Sequence, residues 1–287
     1  MKKVFVIGSS GMLGLELQAC LNVSNNQNLK WFFLTRAQLD LQQLDSCPDI
    51  LSAEKPDWLI NLAAYTQVDQ AESEPEIAHE INARGPGKLA AFCEKLNCRF
   101  LHISTDYVYG GLGNTPFGED APLHPMGVYA KSKAAGEQAI LEASPSAIIL
   151  RTSWLYGPNG KNFFRTMLNL GRERDFIQVV HDQIGSPTYT ADLAQAIIHI
   201  LGQNMQTTGG IYNYSNEGAA SWYDFAWNIM LEAGLECRVE PVTTAAFPRP
   251  APRPAFSLMS KQKIRDVFGL DIPHWQDGLR RCLKRLP

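Results

Sequence analysis

Apolar residues along this chain fall in short runs, separated by stretches in which they recur every three or four positions. Runs at 3–8, 29–35, 57–64, 99–104 and 147–153, with weaker ones at 176–180 and 210–215, have the length and continuity of strands covered on both faces. Helical spacing fills the intervals at 12–21, 75–96, 129–142, 163–172 and 190–201, and a basic amphipathic helix closes the chain near 274–286. The alternation predicts an α/β protein built on a Rossmann-type, doubly wound parallel sheet. After about Ser215 the pattern loosens, and residues 247–254 crowd proline with arginine. A smaller mixed C-terminal lobe is expected there, with the proline run as a rigid loop lining a cleft rather than a linker. The expected division is 1–158 for the sheet domain, with 185–215 returning to it, and 159–184 plus 216–287 for the lobe.

Composition narrows the function classes. Of 287 residues 45% are hydrophobic and 19% charged, an ordinary globular balance, and the formal net charge of −3 offers no basic field for nucleic acid. Recognition of phosphate must therefore be local. The apolar run after Met1-Lys2-Lys3 ends at Gly8, too short for a signal peptide or a membrane span, so a cytoplasmic protein is expected. The six cysteines (20, 47, 93, 98, 237, 282) include no C-x-x-C pair, and no metal constellation is legible. Free thiols in a reducing compartment are expected. Any assembly is expected to be a homodimer, although nothing in the pattern specifies one.

Gly8-Ser9-Ser10-Gly11-Met12-Leu13-Gly14 directly follows the first strand and opens a helix. In that context Gly8 permits a tight turn, Gly11 lets backbone approach a diphosphate, and Gly14 lets helix and strand pack closely. The helix N-terminus, with its free N–H groups at Ser10, Met12 and Leu13, would hold the charge. The spacing is G-x-x-G-x-x-G, and a plain strand-to-helix turn is the competing reading. The second strand ends Leu34-Thr35-Arg36 with no acid until Asp40. A carboxylate there would favour NAD, whereas a hydroxyl and a guanidinium suit a 2′-phosphate. NADPH is thus the expected cofactor and NADH the alternative, against the reading of Arg36 as a solvated loop charge. Asp40 and Leu41 follow as contacts to the adenine edge and face. Ala63, Ala64 and Tyr65 end the third strand where the cofactor should pass, unless their small neighbours are only core packing.

Tyr129 and Lys133 are four positions apart, hence on one helical face. An ammonium beside a phenol favours the phenolate and would draw its pKa down toward neutrality. Thr105, at the end of the fourth strand, could orient a carbonyl oxygen. The pair alone is weak evidence, since Tyr-x-x-x-Lys also arises as a surface helix pair. His102, in an apolar strand, reads as a satisfied core histidine rather than a base.

Taken together, these residues resemble the extended short-chain dehydrogenase/reductases, and within them the dTDP-4-dehydrorhamnose reductase family. The resemblance also rests on Asn61-Leu62-Ala63-Ala64-Tyr65-Thr66, Ser104-Thr105-Asp106-Tyr107-Val108-Tyr109, Arg151-Thr152-Ser153-Trp154-Leu155-Tyr156, Asn162-Phe163 and Asp182-Gln183-Ile184-Gly185-Ser186-Pro187-Thr188. It implies reduction of the C4 keto group of a nucleotide sugar, with Thr105, Tyr129 and Lys133 catalytic. It further implies Asp106, Tyr107 and Trp154 at the sugar and Arg253 at the substrate phosphates; a core aromatic is the other reading of Trp154. Residues 253–257 match the family's late Arg-Pro loop only in part, and Tyr65 stands where many relatives carry His. Tyr107 follows Thr105-Asp106 where dehydratases of this group carry Glu, which counts against elimination. A C4 epimerase, another 4-ketoreductase, or a non-catalytic dinucleotide-binding subunit like that of methionine adenosyltransferase remain the alternatives.

Overall fold

The computed structural model describes residues 1–23, 29–44, 48–111, 113–203 and 209–286. Its centre is a six-stranded sheet of β1 (Lys2–Ile7), β2 (Leu29–Leu34), β3 (Trp58–Asn61), β4 (Arg99–Thr105), β5 (Ile148–Thr152) and, returning late in the chain, Gly210–Asn213. The spatial order is the late strand, then β5, β4, β3, β1 and β2, every pair parallel. Alternation along β1 shows why its apolar run is continuous. Val4 and Val6 join one buried layer with Leu17, Ile60 and Leu150, while Phe5 and Ile7 join the other with Leu59, Leu89 and Ile149.

Helix α1 (Met12–Val23) follows β1, α2 (Gly85–Lys95) leads into β4, and α3 (Gly127–Ala143) lies between β4 and β5. The helix expected at 75–96 is instead three pieces: Pro75–His79, a π-helical turn at Glu80–Arg84, and α2. Pro86 has no N–H for the Asn82 carbonyl four residues back, so the i→i−4 ladder breaks there. That carbonyl turns toward α3, where only glycine fits. A Cβ on Gly136 would lie 2.0 Å from the Asn82 oxygen.

A second apolar cluster gathers α4 (Phe163–Glu173), α5 (Thr190–Gly202) in part, α6 (Trp222–Ala233) and the C-terminal α7 (Trp275–Leu283), around Phe164, Ile177, Phe225, Ile229 and Leu279. Phe176–Val180 pairs here in parallel with Arg238–Val242. Helix α6 has no counterpart among the elements expected from periodicity. Ser221 and Asp224 form a reciprocal capping box at its start, and Gly234 closes it in the left-handed conformation. Ile264, Phe268 and Ile272, in the segment expected to belong to the lobe, pack into the sheet's own core.

No helix among the described residues is long and apolar enough to cross a membrane, and no group of three or more metal-ligating side chains occurs among them. Cys20, Cys93, Cys98, Cys237 and Cys282 are free thiols; Cys47 lies outside the described residues.

One buried ion pair locks α3 to the sheet. Arg151 on β5 donates from Nε and Nη2 to both oxygens of Glu137, at 2.9 and 2.7 Å, with each side chain almost wholly buried. Ser104 of β4 donates to the same carboxylate, and Arg151 also donates to the Tyr109 hydroxyl at 2.8 Å. Glu137→Leu leaves the guanidinium buried without its counter-charge and should lower unfolding free energy by about 3–5 kcal/mol, read from urea denaturation. A loss under about 1 kcal/mol would show that the pair is not what holds α3.

Candidate active site

The strand order reverses beside β1, which has β2 on one side and β3 on the other. A doubly wound sheet opens a crevice at such a point, outside the carboxyl ends of the strands. Here a cavity of about 780 Å³ runs from the turn after β1, past the ends of β3 and β4, to the aromatic residues after β5.

At one end the chain leaves β1 through Gly8 at φ +79°, passing so close to the third strand that a Cβ there would lie 2.6 Å from the Ala63 nitrogen. A Cβ on Gly14 would meet the Gly8 oxygen at 2.5 Å, so α1 can start only this near the strand if position 14 is glycine. Gly8, Ser10, Gly11, Met12, Leu13 and Gly14 all line the cavity, as do Arg36, Asp40, Leu41, Ala63 and Ala64. A bare glycine turn feeding the N-terminus of a 12-residue helix fits a dinucleotide diphosphate. Arg36 is mostly exposed and reaches Asp40 at 3.0 Å as well as Gln42, so the guanidinium and the carboxylate form one unit at the rim.

Two residues expected here are turned elsewhere. The Thr35 hydroxyl donates to Gln38 at 3.0 Å, and Thr35 is not part of the lining. Asn82 pins the Tyr65 backbone, accepting from its N–H and donating to its carbonyl, while the Tyr65 phenol donates to Glu74 at 2.6 Å, outside the cavity.

At the other end Thr105, Tyr129 and Lys133 meet. Four helical residues rise about 6 Å and two strand residues about 6.6 Å, so two positions on α3 match two on β4. Tyr129 hydrogen-bonds the Thr105 side chain, and the Lys133 amine lies 2.6 Å from the Ile103 carbonyl. The Thr105 hydroxyl itself donates to Asp106 at 3.1 Å. Burial pushes the Tyr129 phenol up to about 12, with the Asp106 charge adding to the rise and the Thr105 hydrogen bond opposing it. The downward pull expected from Lys133 is absent, because the amine is engaged with β4: besides Ile103 it meets His102 Nε2 at 3.0 Å. Burial also draws Lys133 down to about 8, against the pull of Glu137, and raises Asp106 to about 6 against hydrogen bonds from Ser257 and Thr105.

Tyr107 stands edge-on to Tyr129, ring centres 5.6 Å apart at 84°. Trp154 adopts φ +46°, rare for a bulky residue, and its indole stacks on Trp222 at 3.6 Å. Gly185 gives it room, since a Cβ there would come within 2.8 Å of the ring. Trp222, Phe163, Asn162 and Thr66 also line the cavity without having been singled out for it; the capping box just before Trp222 was the available signal. Arg253 does not line it. Its guanidinium pairs with Asp69 at 2.9 Å and donates to the Ala251 carbonyl, which leaves the expected phosphate contact without support.

The family model described as RmlD substrate binding domain matches residues 1–287. The chain belongs to that family. It is 41% identical over 284 residues to the spore coat polysaccharide biosynthesis protein SpsK of Bacillus subtilis, covering 99% of this chain and 98% of that one. It is 40% identical over 291 residues to a dTDP-4-dehydrorhamnose reductase of Aggregatibacter actinomycetemcomitans, with 98% of each covered. Among solved structures, the dTDP-4-dehydrorhamnose reductase of Bacillus anthracis in complex with NADP superposes with a TM-score of 0.93 at 37% identity over 99% of both chains. The residues at 182–188 have local structural roles: Gly185 makes space for Trp154, and Asp182 accepts from the Thr244 backbone and hydroxyl.

Asp106 offers a check on the electrostatics of this cavity. Its folded value lies above the ordinary carboxyl value, so the folded state holds the proton longer and loses stability as pH rises through about 6. Asp106→Asn should therefore raise the urea midpoint relative to wild type at pH 7, and the gain should vanish below about pH 4, where both states of the wild-type carboxyl are protonated. Equal midpoints at pH 7 would show that the carboxyl carries no burial penalty.

Proposed function

We propose that this protein reduces the C4 keto group of dTDP-4-dehydro-β-L-rhamnose to the hydroxyl of dTDP-β-L-rhamnose, using NADPH. The observation that carries this reading is the convergence of Thr105, Tyr129 and Lys133 in the same crevice as the bare glycine turn. The names of the relatives support the substrate, and the NADP complex of the Bacillus anthracis enzyme supports the cofactor. Residues 8–14 would hold the diphosphate, and Arg36 the adenosine phosphate. When bound, the dihydronicotinamide supplies the hydride.

The chain's own contribution is the proton. A phenol pushed up to about 12 is fully protonated at neutral pH, which suits a donor in the direction of reduction. An alkoxide is more basic than a phenolate, so transfer from Tyr129 to the oxygen at C4 runs downhill even from that value. Thr105 becomes a second donor to the same oxygen once its hydroxyl rotates away from Asp106. Trp154, stacked on Trp222, presents an apolar face against the sugar and helps to exclude water. With Tyr107 rather than a carboxylate beside Asp106, the pair needed for elimination is absent at that position. The five cysteines among the described residues are free thiols, which fits a reducing compartment, and the cytoplasm is the proposed location.

The direct test is NADPH oxidation by the purified protein given the ketosugar, with ketosugars of other stereochemistry alongside. Tyr129→Phe should retain NADPH affinity and lose about 10²–10⁴-fold in kcat. Turnover at the wild-type rate would remove the phenol from the mechanism. Arg36→Asp should lower the ratio of kcat/KM for NADPH over that for NADH by at least about tenfold, through repulsion of the 2′-phosphate. An unchanged ratio would remove Arg36 from cofactor choice.

A further inference from the structure

A chain of polar contacts behind the cavity wall runs from the Ala63 backbone to the Lys133 amine. It begins at the Ala63 N–H, which lies 3.0 Å from one side-chain atom of Asn61. A backbone N–H only donates, so that atom is the amide oxygen, and the Asn61 nitrogen faces the other way. It faces His102 Nδ1 at 3.1 Å. The amide nitrogen also only donates, so Nδ1 must offer its lone pair and the imidazole carries its proton on Nε2. His102 Nε2 lies 3.0 Å from the Lys133 amine. With Nε2–H as the donor, the amine has to accept, and an ammonium has no lone pair with which to do so. One protonation pattern therefore satisfies every contact: neutral Lys133 accepts from His102 and donates to the Ile103 carbonyl at 2.6 Å.

We propose that Asn61 and His102 are positioning residues that hold Lys133 against β4 as a neutral amine, and that uptake of a proton releases it into the cleft toward Tyr129. The chain is not a proton wire. Asn61 and His102 are fully buried, and the far end is a backbone amide that cannot give up its hydrogen. What it transmits is orientation. Protonated Lys133 would meet the Nε2–H of His102 head-on, and the contact is lost.

The surroundings agree. The charged and titratable groups around the amine are Tyr129 and Glu137 on its own helix, His102 on β4, Asp106 just past its end, and Arg151 of β5 behind Glu137. Arg151 pairs with Glu137 and tempers that carboxylate's pull on the amine without removing it. Burial shifts both His102 and Lys133 toward their neutral forms.

The kinetic arm of the test rests on the proposed reduction; the spectroscopic arm does not. Asn61→Asp keeps the shape and the Ala63 bond but replaces the donor facing His102 with an acceptor. The imidazole proton should move to Nδ1, Nε2 should accept from Lys133, and the ammonium should become the favoured form. Nitrogen-15 NMR of labelled histidine, with His102 assigned through His102→Gln, should show the Nε2–H tautomer in the wild type and the Nδ1–H tautomer in Asn61→Asp. In kcat/KM profiles with NADPH and dTDP-4-dehydro-β-L-rhamnose, the alkaline limb near pH 8 should move up by about one unit or more, and the plateau should fall because the charged amine stays on the strand. A wild-type His102 protonated on Nδ1, or charged at pH 7.5, would overturn the proposal even if the variant failed to fold. So would an Asn61→Asp enzyme with unchanged tautomer and unchanged limb. The expected tautomers without turnover of any ketosugar would leave the positioning intact and remove the reductase reading.

Discussion

The active-site geometry depends on a charge pair that water does not reach. Apolar contacts alone let a helix slide over a sheet at little cost, because one methylene substitutes for another. A bidentate Arg151–Glu137 pair with Ser104 on the same carboxylate admits one register only. Glu137 is one turn from Lys133 and two from Tyr129, so setting Glu137 sets both. Desolvation makes such a pair a poor source of net stability, and the gain lies in uniqueness of position. The close approach of α3 at Gly136 to the Asn82 carbonyl acts in the same sense from the other side.

The crevice itself follows from a steric limit at the opposite end. Strand β1 must be left by a turn that clears Ala63 by less than a side chain, and α1 must begin against that turn. Positions 8 and 14 thus have no room for a Cβ, whatever is bound. Gly11 is different, since a Cβ there would meet only the Gly8 oxygen, at 3.3 Å. Two glycines therefore serve the fold, and the third leaves backbone open toward the cavity. Recognition of phosphate in a chain of net charge −3 becomes a matter of local backbone dipoles rather than of a field.

Much of this was legible in the residues because it is local. The strand at 2–7, the glycine turn and the Tyr129–Lys133 spacing follow from short-range pattern and sterics. What escaped the pattern was long-range or cooperative. The break at Glu80–Arg84 needed Pro86 to be read against Asn82 and Gly136 together. Helix α6 was signalled by its capping box, but its mostly apolar sequence carries no clean polar face to reveal it. Arg253 was expected at the substrate, yet its pairing with Asp69 joins positions 184 apart in the chain. His102 was read as a satisfied core histidine. It is one, and what satisfies it is Asn61 on one side and the lysine of the active site on the other.

The same burial acts on every ionisable group of the crevice, with opposite signs for acids and bases. Tyr129 and Asp106 are pushed up, Lys133 and His102 down, and each shift favours the uncharged form. The shifts are partial: with Asp106 at about 6 and Lys133 at about 8, carboxylate and ammonium both predominate at pH 7, and only Tyr129 and His102 are held neutral. An alkoxide forming near the Asp106 carboxylate is best relieved of its charge by taking a proton at once. That places the demand on a donor already in contact and still protonated, which is the state in which Tyr129 is held. A lysine released by protonation could then steady the phenolate left behind.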